Sequence, residues 1–98
     1  MSTTETLVDD NKTRLIRVSG GSQVKETAGC IVKTYDEGRE VKLRAIGAGS
    51  VNQMYKAMAT ARMILAQRGL EVLYRPGFED AEVNGEEKTA MVAYMVVK

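Results

Sequence analysis

The stretch EVKLRAIGAGSVNQMYKAMATARMILAQRG, residues 40–69, predicts a strand, a glycine-rich turn and a helix in direct succession. Apolar and polar residues alternate over residues 40–46, which is the period of a strand with one buried face. After the turn GAGS, apolar residues recur every three or four positions as far as residue 68, which is the period of one buried helical face. We expect Ser50 to cap this helix and Gly69 to follow its last turn.

The residues before this stretch repeat the same order of elements. The sequence RLIRVS, which begins at residue 14, predicts a strand, and GGS then breaks the pattern. Apolar side chains at three- and four-residue intervals predict a helix over residues 23–37. We expect Ser22 to be the N-cap of this helix and Gly38 to end it.

The residues after the stretch predict two further strands. Residues 70–75 alternate as a third strand, and we expect the Pro-Gly pair that follows to end it. Residues 89–97 predict a fourth strand. Residues 76–88 are then an acidic loop, with a turn at Asn84-Gly85, and this loop is longer than that of a tight hairpin.

The order of elements is therefore β-α-β-α-β-β. It predicts an α+β fold of two layers, a four-stranded mixed sheet with two helices on one face, because strand–helix–strand crossovers are right-handed. The fourth strand is apolar on both sides, so we expect it to be central or to meet another subunit. We divide the chain into a flexible arm, residues 1–12, and a single domain, residues 13–98.

Composition excludes several classes of protein. The chain has 98 residues, of which 44% are hydrophobic and 28% are charged, the ordinary mixture of one globular domain. It contains no histidine and a single cysteine, so histidine-based catalysis, histidine metal sites and an intrachain disulfide are excluded. We therefore expect no enzyme activity, no metal, no cofactor and a reducing cytoplasmic location. Short apolar runs and a polar, acidic N-terminus predict neither a membrane span nor a signal peptide.

The net charge of +1 is unevenly distributed along the chain. Residues 39–75 carry seven basic and two acidic side chains, whereas residues 76–87 carry five acidic side chains and no basic one. A polarised molecule has an electric field near its surface even when its total charge nearly cancels. This polarity fits an anionic partner at one end, or head-to-tail contacts between copies.

The glycine turn between the second strand and the second helix is the first candidate binding site. Backbone N–H groups of Gly47, Gly49 and Ser50 at a helix start can hold a phosphate or a carboxylate. The side chains of Asn52 and Gln53, in the first helical turn, can add hydrogen bonds to a phosphate or a base. The alternative is that the glycines only permit a tight turn and that the polar side chains are solvated.

Basic side chains form the second candidate site. Lys42 and Arg44 lie on the side of the second strand opposite its apolar set, and Lys56 lies in the following helix. Such side chains can neutralise phosphates, although scattered lysine and arginine residues are also typical of a solvated surface. Tyr55 is one of three aromatic residues that could stack on an unpaired base. The acidic residues 79–87 would be repelled by phosphates, so they would point away, gate nonspecific binding or dock on a neighbouring copy. The simplest interpretation, which we favour, is a solvated loop.

Two motifs carry a family resemblance: AIGAGSVNQMYKA over residues 45–57 and NGEEKTA over residues 84–90. They resemble the signature motifs of the stage V sporulation protein S family, and the resemblance covers nearly all of the chain after the N-terminal arm. It implies an Alba-like fold, dimerisation, kinship with nucleic-acid-binding chromatin and RNA proteins, and a part in the control of sporulation. The chain departs from Alba proteins proper, which carry paired lysines where it has residues 19–22 and arginines where it has Ile46 and Ala48.

Two hypotheses about function follow. The first is a non-enzymatic, nucleic-acid-binding regulatory protein that resembles stage V sporulation protein S and acts as a homodimer or higher homo-oligomer in the cytoplasm, with DNA or RNA as its partner. The second is a protein–protein assembly module that joins copies through its basic middle segment and acidic loop, without nucleic acid. The first hypothesis places the nucleic acid on Lys42, Arg44, Gly47, Gly49, Ser50, Asn52, Gln53 and Lys56.

Overall fold

The computed structural model describes residues 12–98, so residues 1–11 of the expected arm lie outside the described residues. The strands of the described region form one mixed sheet in the order β1-β2-β4-β3, in which β1 and β2 pair in parallel and the other neighbours pair in antiparallel fashion. The predicted β-α-β-α-β-β order and the four-stranded mixed sheet with two helices are confirmed for this region. The elements are β1 (Thr13–Val18), α1 (Val24–Asp36), β2 (Glu40–Ala45), α2 (Ala48–Ala66), β3 (Val72–Val83) and β4 (Glu86–Val97).

Both helices pack on the same face of the sheet. Alternate residues of β2, among them Leu43, face this side and belong to one buried cluster with side chains of α1 and α2. Ile31 of α1 and Leu65 of α2 are fully buried in this cluster. Complete burial of such an aliphatic side chain stabilises a fold by about 1.5–3 kcal/mol. The stripe at helical spacing and the alternation along β2 therefore meet in a shared core.

The fourth strand lies between β2 and β3, which explains why its sequence is apolar on both sides. Ala93 faces the helices beside Leu43, whereas Val92 faces the opposite side of the sheet. Both of these β4 side chains are buried. The prediction that this strand is central is confirmed.

The predicted loop over residues 76–88 is wrong, because β3 and β4 continue through it as one long hairpin. A two-residue turn joins the strands, with φ of 54° at Asn84 and 81° at Gly85, as a type I′ turn requires. Pro76 does not end the strand, because β3 lies at the edge of the sheet, where proline is tolerated. The acidic side chains suit an edge strand, since charge discourages pairing with further strands.

The two expected serine caps are also wrong. The N-cap residues are Gln23 and Gly47, and no side chain of the described region caps either helix. The Ser22 hydroxyl instead accepts a hydrogen bond from the backbone N–H of Ser19 at 2.9 Å, and Ser50 lies inside the first turn of α2. Gly47 has φ 93° and ψ 154°, a conformation open almost solely to glycine. This conformation lets α2 begin earlier than the sequence predicts.

Candidate functional site

The loops that follow β1 and β2 lie side by side at the end of the sheet where these two strands finish, which we call the loop edge. The two strands are parallel and their last paired residues are Val18 and Ala45, so the chain leaves both strands at the same edge. The side chain of Gln53, in the second turn of α2, donates a hydrogen bond to the backbone carbonyl of Ser22 at 2.9 Å. This bond joins α2 to the loop after β1, so the start of α1 lies next to the first turns of α2.

Both helix starts present backbone N–H groups that no side chain of residues 12–98 caps. Residues 47–49 are exposed, and a Cβ added at Gly47 or Gly49 would meet no other part of the chain within 4 Å. The first N–H groups of a helix have no partner inside the helix, and the positive end of the helix dipole lies there. Two such ends side by side can hold an anion such as a phosphate.

Polar side chains predicted for this site lie along the start of α2. Asn52 is exposed, and its amide nitrogen donates to the side-chain oxygen of Gln53 at 3.3 Å. Ser50 is half-buried, and Lys56 is exposed further along the same helix. Because Gln53 is bonded to Ser22, Asn52 and Lys56 are the better placed of these to meet a ligand. The structure thus brings together Gly47, Gly49, Ser50, Asn52, Gln53 and Lys56.

A shallow depression of about 620 Å³ lies beside this loop. Gly47, Asn52 and Tyr55 line it on the helix side, and Thr89 and Met91 line it on β4. The Tyr55 side chain is 69% exposed, so its ring could stack on an unpaired base. Thr89 was not predicted as a site residue, because its position depends on the long hairpin.

Lys42 and Arg44 lie away from this loop, on the face of the sheet opposite the helices. One carboxylate oxygen of Glu79, on β3, contacts Lys42 Nζ, and the other lies 3.9 Å from Arg44 Nε. The two basic residues are only 3% and 9% exposed. Lys42 Nζ also lies 5.4 Å from the centre of the Tyr94 ring, within the range of a cation–π interaction. The predicted set is therefore divided between an exposed loop and a buried pair of cations.

An apolar groove of about 630 Å³ runs between α2 and the β3–β4 hairpin. Its lining includes Met54, Met58 and Met91. Phe78, which pairs in register with Met91, is 74% exposed beside it. The groove exists because the two described helices do not cover the whole helix-side face of the sheet. An exposed apolar surface of this kind is typical of a protein interface.

Tyr74 lies in the wall of the groove and ties β3 to α2. Its hydroxyl donates a hydrogen bond to the backbone carbonyl of Met58 at 2.9 Å. Burial raises the pKa of Tyr74 to about 12, and the nearby Arg62 opposes this rise with a smaller effect. The phenol is therefore neutral in the folded protein at physiological pH.

The part of the chain that the structure describes has neither a metal-binding cluster nor a membrane-spanning helix. No three histidine, cysteine, aspartate or glutamate side chains of residues 12–98 cluster in a way that could hold a metal ion. Neither of the helices in this region is long and apolar enough to cross a membrane.

Comparison with known proteins agrees with the resemblance seen in the sequence. The structure is similar to Alba from Thermoplasma volcanium, with a TM-score of 0.57 and 10% sequence identity, over 86% of this chain and 98% of that chain. At this level of identity the similarity shows the Alba-like fold alone. The family model described as stage V sporulation protein S (SpoVS) matches residues 14–98. This match includes both helices, nearly all of the sheet and both sequence motifs, so the chain belongs to the stage V sporulation protein S family.

Proposed function

We propose that this protein is a non-enzymatic, nucleic-acid-binding regulator that acts as a dimer in the control of sporulation or gene expression. One observation carries the proposal: two helix starts without a side-chain cap from residues 12–98 lie next to each other at an exposed, glycine-lined edge. Membership of the family supports it, because the resemblance implies kinship with nucleic-acid-binding proteins and a part in sporulation.

The start of α2 would bind the sugar–phosphate backbone. A phosphate oxygen would accept hydrogen bonds from the backbone N–H groups of Gly49 and Ser50, which precede the first intrahelical bond of α2. Lys56 would add a positive charge from the same helix. The exposed ring of Tyr55 favours single-stranded nucleic acid, because the bases of a duplex are already stacked on each other.

We expect the binding to be weak. Lys42 and Arg44 are buried in contacts with Glu79, so they do not offer phosphate contacts in this conformation. Each neutralised phosphate contributes about −0.7 to the log–log salt slope on a single strand, so few contacts give a shallow slope. The acidic hairpin lowers the affinity further through repulsion of phosphates.

Fluorescence anisotropy tests the proposal with labelled single-stranded RNA, single-stranded DNA and duplex DNA over a range of salt concentrations. We expect a single strand to bind best, with an affinity that falls log-linearly with salt. Lys56→Glu should reduce the slope on a single strand by about 0.7. Lys33→Glu, which makes the same charge change in the last turn of α1, should leave the slope unchanged. No binding at low salt would contradict the function, and equal losses in the two variants would contradict the site.

A protein–protein assembly module is the second candidate, favoured by the apolar groove between α2 and the hairpin. In this case the acidic hairpin would also contact a basic surface of a neighbouring copy. We then expect salt-sensitive oligomers larger than a dimer, measured by light scattering. The exposed residues Glu86 and Glu87 should be essential, so the double variant Glu86→Lys with Glu87→Lys should lose these oligomers. Large assemblies that persist in the double variant would contradict this candidate.

A further inference from the structure

The carboxylate of Glu79 contacts both buried basic residues of β2. One oxygen of Glu79 contacts Lys42 Nζ, and the other lies 3.9 Å from Arg44 Nε. The cations are on the inside of this cluster, since the side chains of Lys42 and Arg44 are 4% and 10% exposed. The Glu79 side chain is on the outside and is 24% exposed. An anion that arrives from solvent therefore meets Glu79 first and reaches the cations only after Glu79 has moved.

Glu79 reaches these cations because the hairpin curls over the open face of the sheet. In the sheet order β4 separates β3 from β2. Residues 81–83 of β3 nevertheless line a cleft of about 220 Å³ together with Arg17, Arg44 and Ile46. The far half of the hairpin is thus bent back towards the ends of β1 and β2.

Small residues line the inner side of this curve. The register of the hairpin puts Gly77, Ala81 and Ala90 on the same face as Glu79. Ala81 and Ala90 are buried, and a Cβ added at Gly77 would lie 3.2 Å from a methyl group of Val92. At Gly77, β3 and β4 therefore approach more closely than a larger side chain would allow without a small shift of Val92.

Lys42 and Arg44 together form an anion-binding position that the chain itself occupies. Buried cations need a partner, because the loss of hydration is costly unless an opposite charge is close. Carboxylate and phosphate oxygens are both acceptors of charge-assisted hydrogen bonds from lysine and arginine. Glu79 therefore fills the place that a phosphate oxygen of a ligand would take.

We propose that Glu79 is an internal competitor for phosphate, and that opening of the hairpin exchanges its carboxylate for a phosphate group on Lys42 and Arg44. The identity of the ligand as a nucleic acid rests on the proposed function. In the closed conformation, in which Glu79 contacts Lys42 and Arg44, the protein binds nucleic acid through the loop edge alone. In the open conformation it gains two phosphate contacts, so the acidic hairpin gates the stronger mode of binding.

Acetylation with a small amine-reactive ester, followed by peptide mass spectrometry, reports whether Lys42 is covered. In the wild-type protein we expect Lys42 to react far more slowly than the exposed Lys56. Glu79→Gln should speed the reaction at Lys42 by about tenfold or more, because a charge-assisted contact is lost. The control Glu87→Gln removes the same charge from the opposite face of the same hairpin, so it should leave Lys42 slow.

Binding experiments separate a competitor from a merely structural contact. Tripolyphosphate should slow the acetylation of Lys42 in Glu79→Gln, because the phosphate covers the released amine. With a single-stranded oligonucleotide, Glu79→Gln should steepen the log–log salt slope by about 1.4, from two contacts of about 0.7 each. Glu87→Gln should raise the affinity through charge alone and leave the slope unchanged.

Failure of the competitor and failure of the proposed function are distinguishable. Slow acetylation of Lys42 in Glu79→Gln overturns the proposal that Glu79 is a competitor. The proposal is also overturned if Lys42 of Glu79→Gln reacts fast and tripolyphosphate does not slow the reaction. A log–log salt slope for oligonucleotide binding by Glu79→Gln that equals the slope of Glu87→Gln overturns it as well. Protection of Lys42 by tripolyphosphate, without oligonucleotide binding by any variant, supports the competitor and contradicts the proposed function.

A second variant covers the case in which Glu79→Gln does not fold. Glu79→Asp keeps the negative charge but is shorter by one methylene group, so it weakens the contact without leaving buried cations uncompensated. We expect Lys42 of this variant to react at a rate between those of wild-type Lys42 and the exposed Lys56. A wild-type rate at Lys42 in Glu79→Asp overturns the proposal. Circular dichroism checks the fold of each variant.

Discussion

At the level of single residues, Gly47 decides where α2 begins. Its φ of 93° and ψ of 154° are strained for any other residue, so Gly47→Ala should lower the free energy of unfolding by about 1–3 kcal/mol. Gly49 has equal room for a methyl group but lies inside α2, so Gly49→Ala should raise the free energy of unfolding by about 0.5 kcal/mol. Urea unfolding measures both changes. Changes of the same sign would contradict the described backbone.

The phenol of Tyr74 gives the folded protein a pH dependence in alkaline solution. Burial raises its pKa from the ordinary value of 10.0 to about 12, so the folded chain holds this proton more tightly than the unfolded chain. Its stabilising contribution is complete below pH 10.0 and is lost as the pH rises towards about 12. An absorbance titration should show a phenol midpoint near pH 12 that Tyr74→Phe removes. Persistence of this late step in Tyr74→Phe would contradict the assignment.

At the scale of elements, the curve of the β3–β4 hairpin holds Glu79 over the basic residues of β2. Gly77→Ala places a Cβ 3.2 Å from a methyl group of Val92, so the hairpin must flatten or the valine must shift. We expect a loss of about 1 kcal/mol in the free energy of unfolding and faster acetylation of Lys42. Thermal unfolding and peptide mass spectrometry measure the two effects. Wild-type reactivity of Lys42 would mean that the curvature does not position Glu79.

The order of the elements and the exposed glycine turn before α2 were predictable, because strand and helix periods and a glycine turn are local features of the sequence. The hairpin was not, because a Pro-Gly pair followed by acidic residues is typical of a loop. What permits these residues in β3 is its place at the edge of the sheet, which depends on pairing with β4. The burial of Lys42 was unpredictable for the same reason, since its partner Glu79 is 37 positions away.

At the scale of the whole molecule, we expect two copies of the proposed dimer to meet through the apolar groove, although the same groove could serve the assembly module. Phe78 is 74% exposed beside this groove, so Phe78→Glu should convert the dimer to a monomer in light-scattering measurements. Met63→Glu is the matched control. Met63 is 63% exposed on α2 and lies outside the groove lining, whereas Phe78 pairs in register with Met91 of that lining. A monomeric wild-type protein, or a dimer that survives Phe78→Glu, would contradict this interface.

In the proposed function, nucleic acid binds at the edge where α1 and α2 begin. A nuclear magnetic resonance titration of isotopically labelled protein with a short single-stranded oligonucleotide tests it most directly. We expect the largest amide shifts at Val24, Lys25, Gly49 and Ser50, with little change at the hairpin turn. Shifts concentrated away from this edge, or no shifts at low salt, would contradict binding at this site.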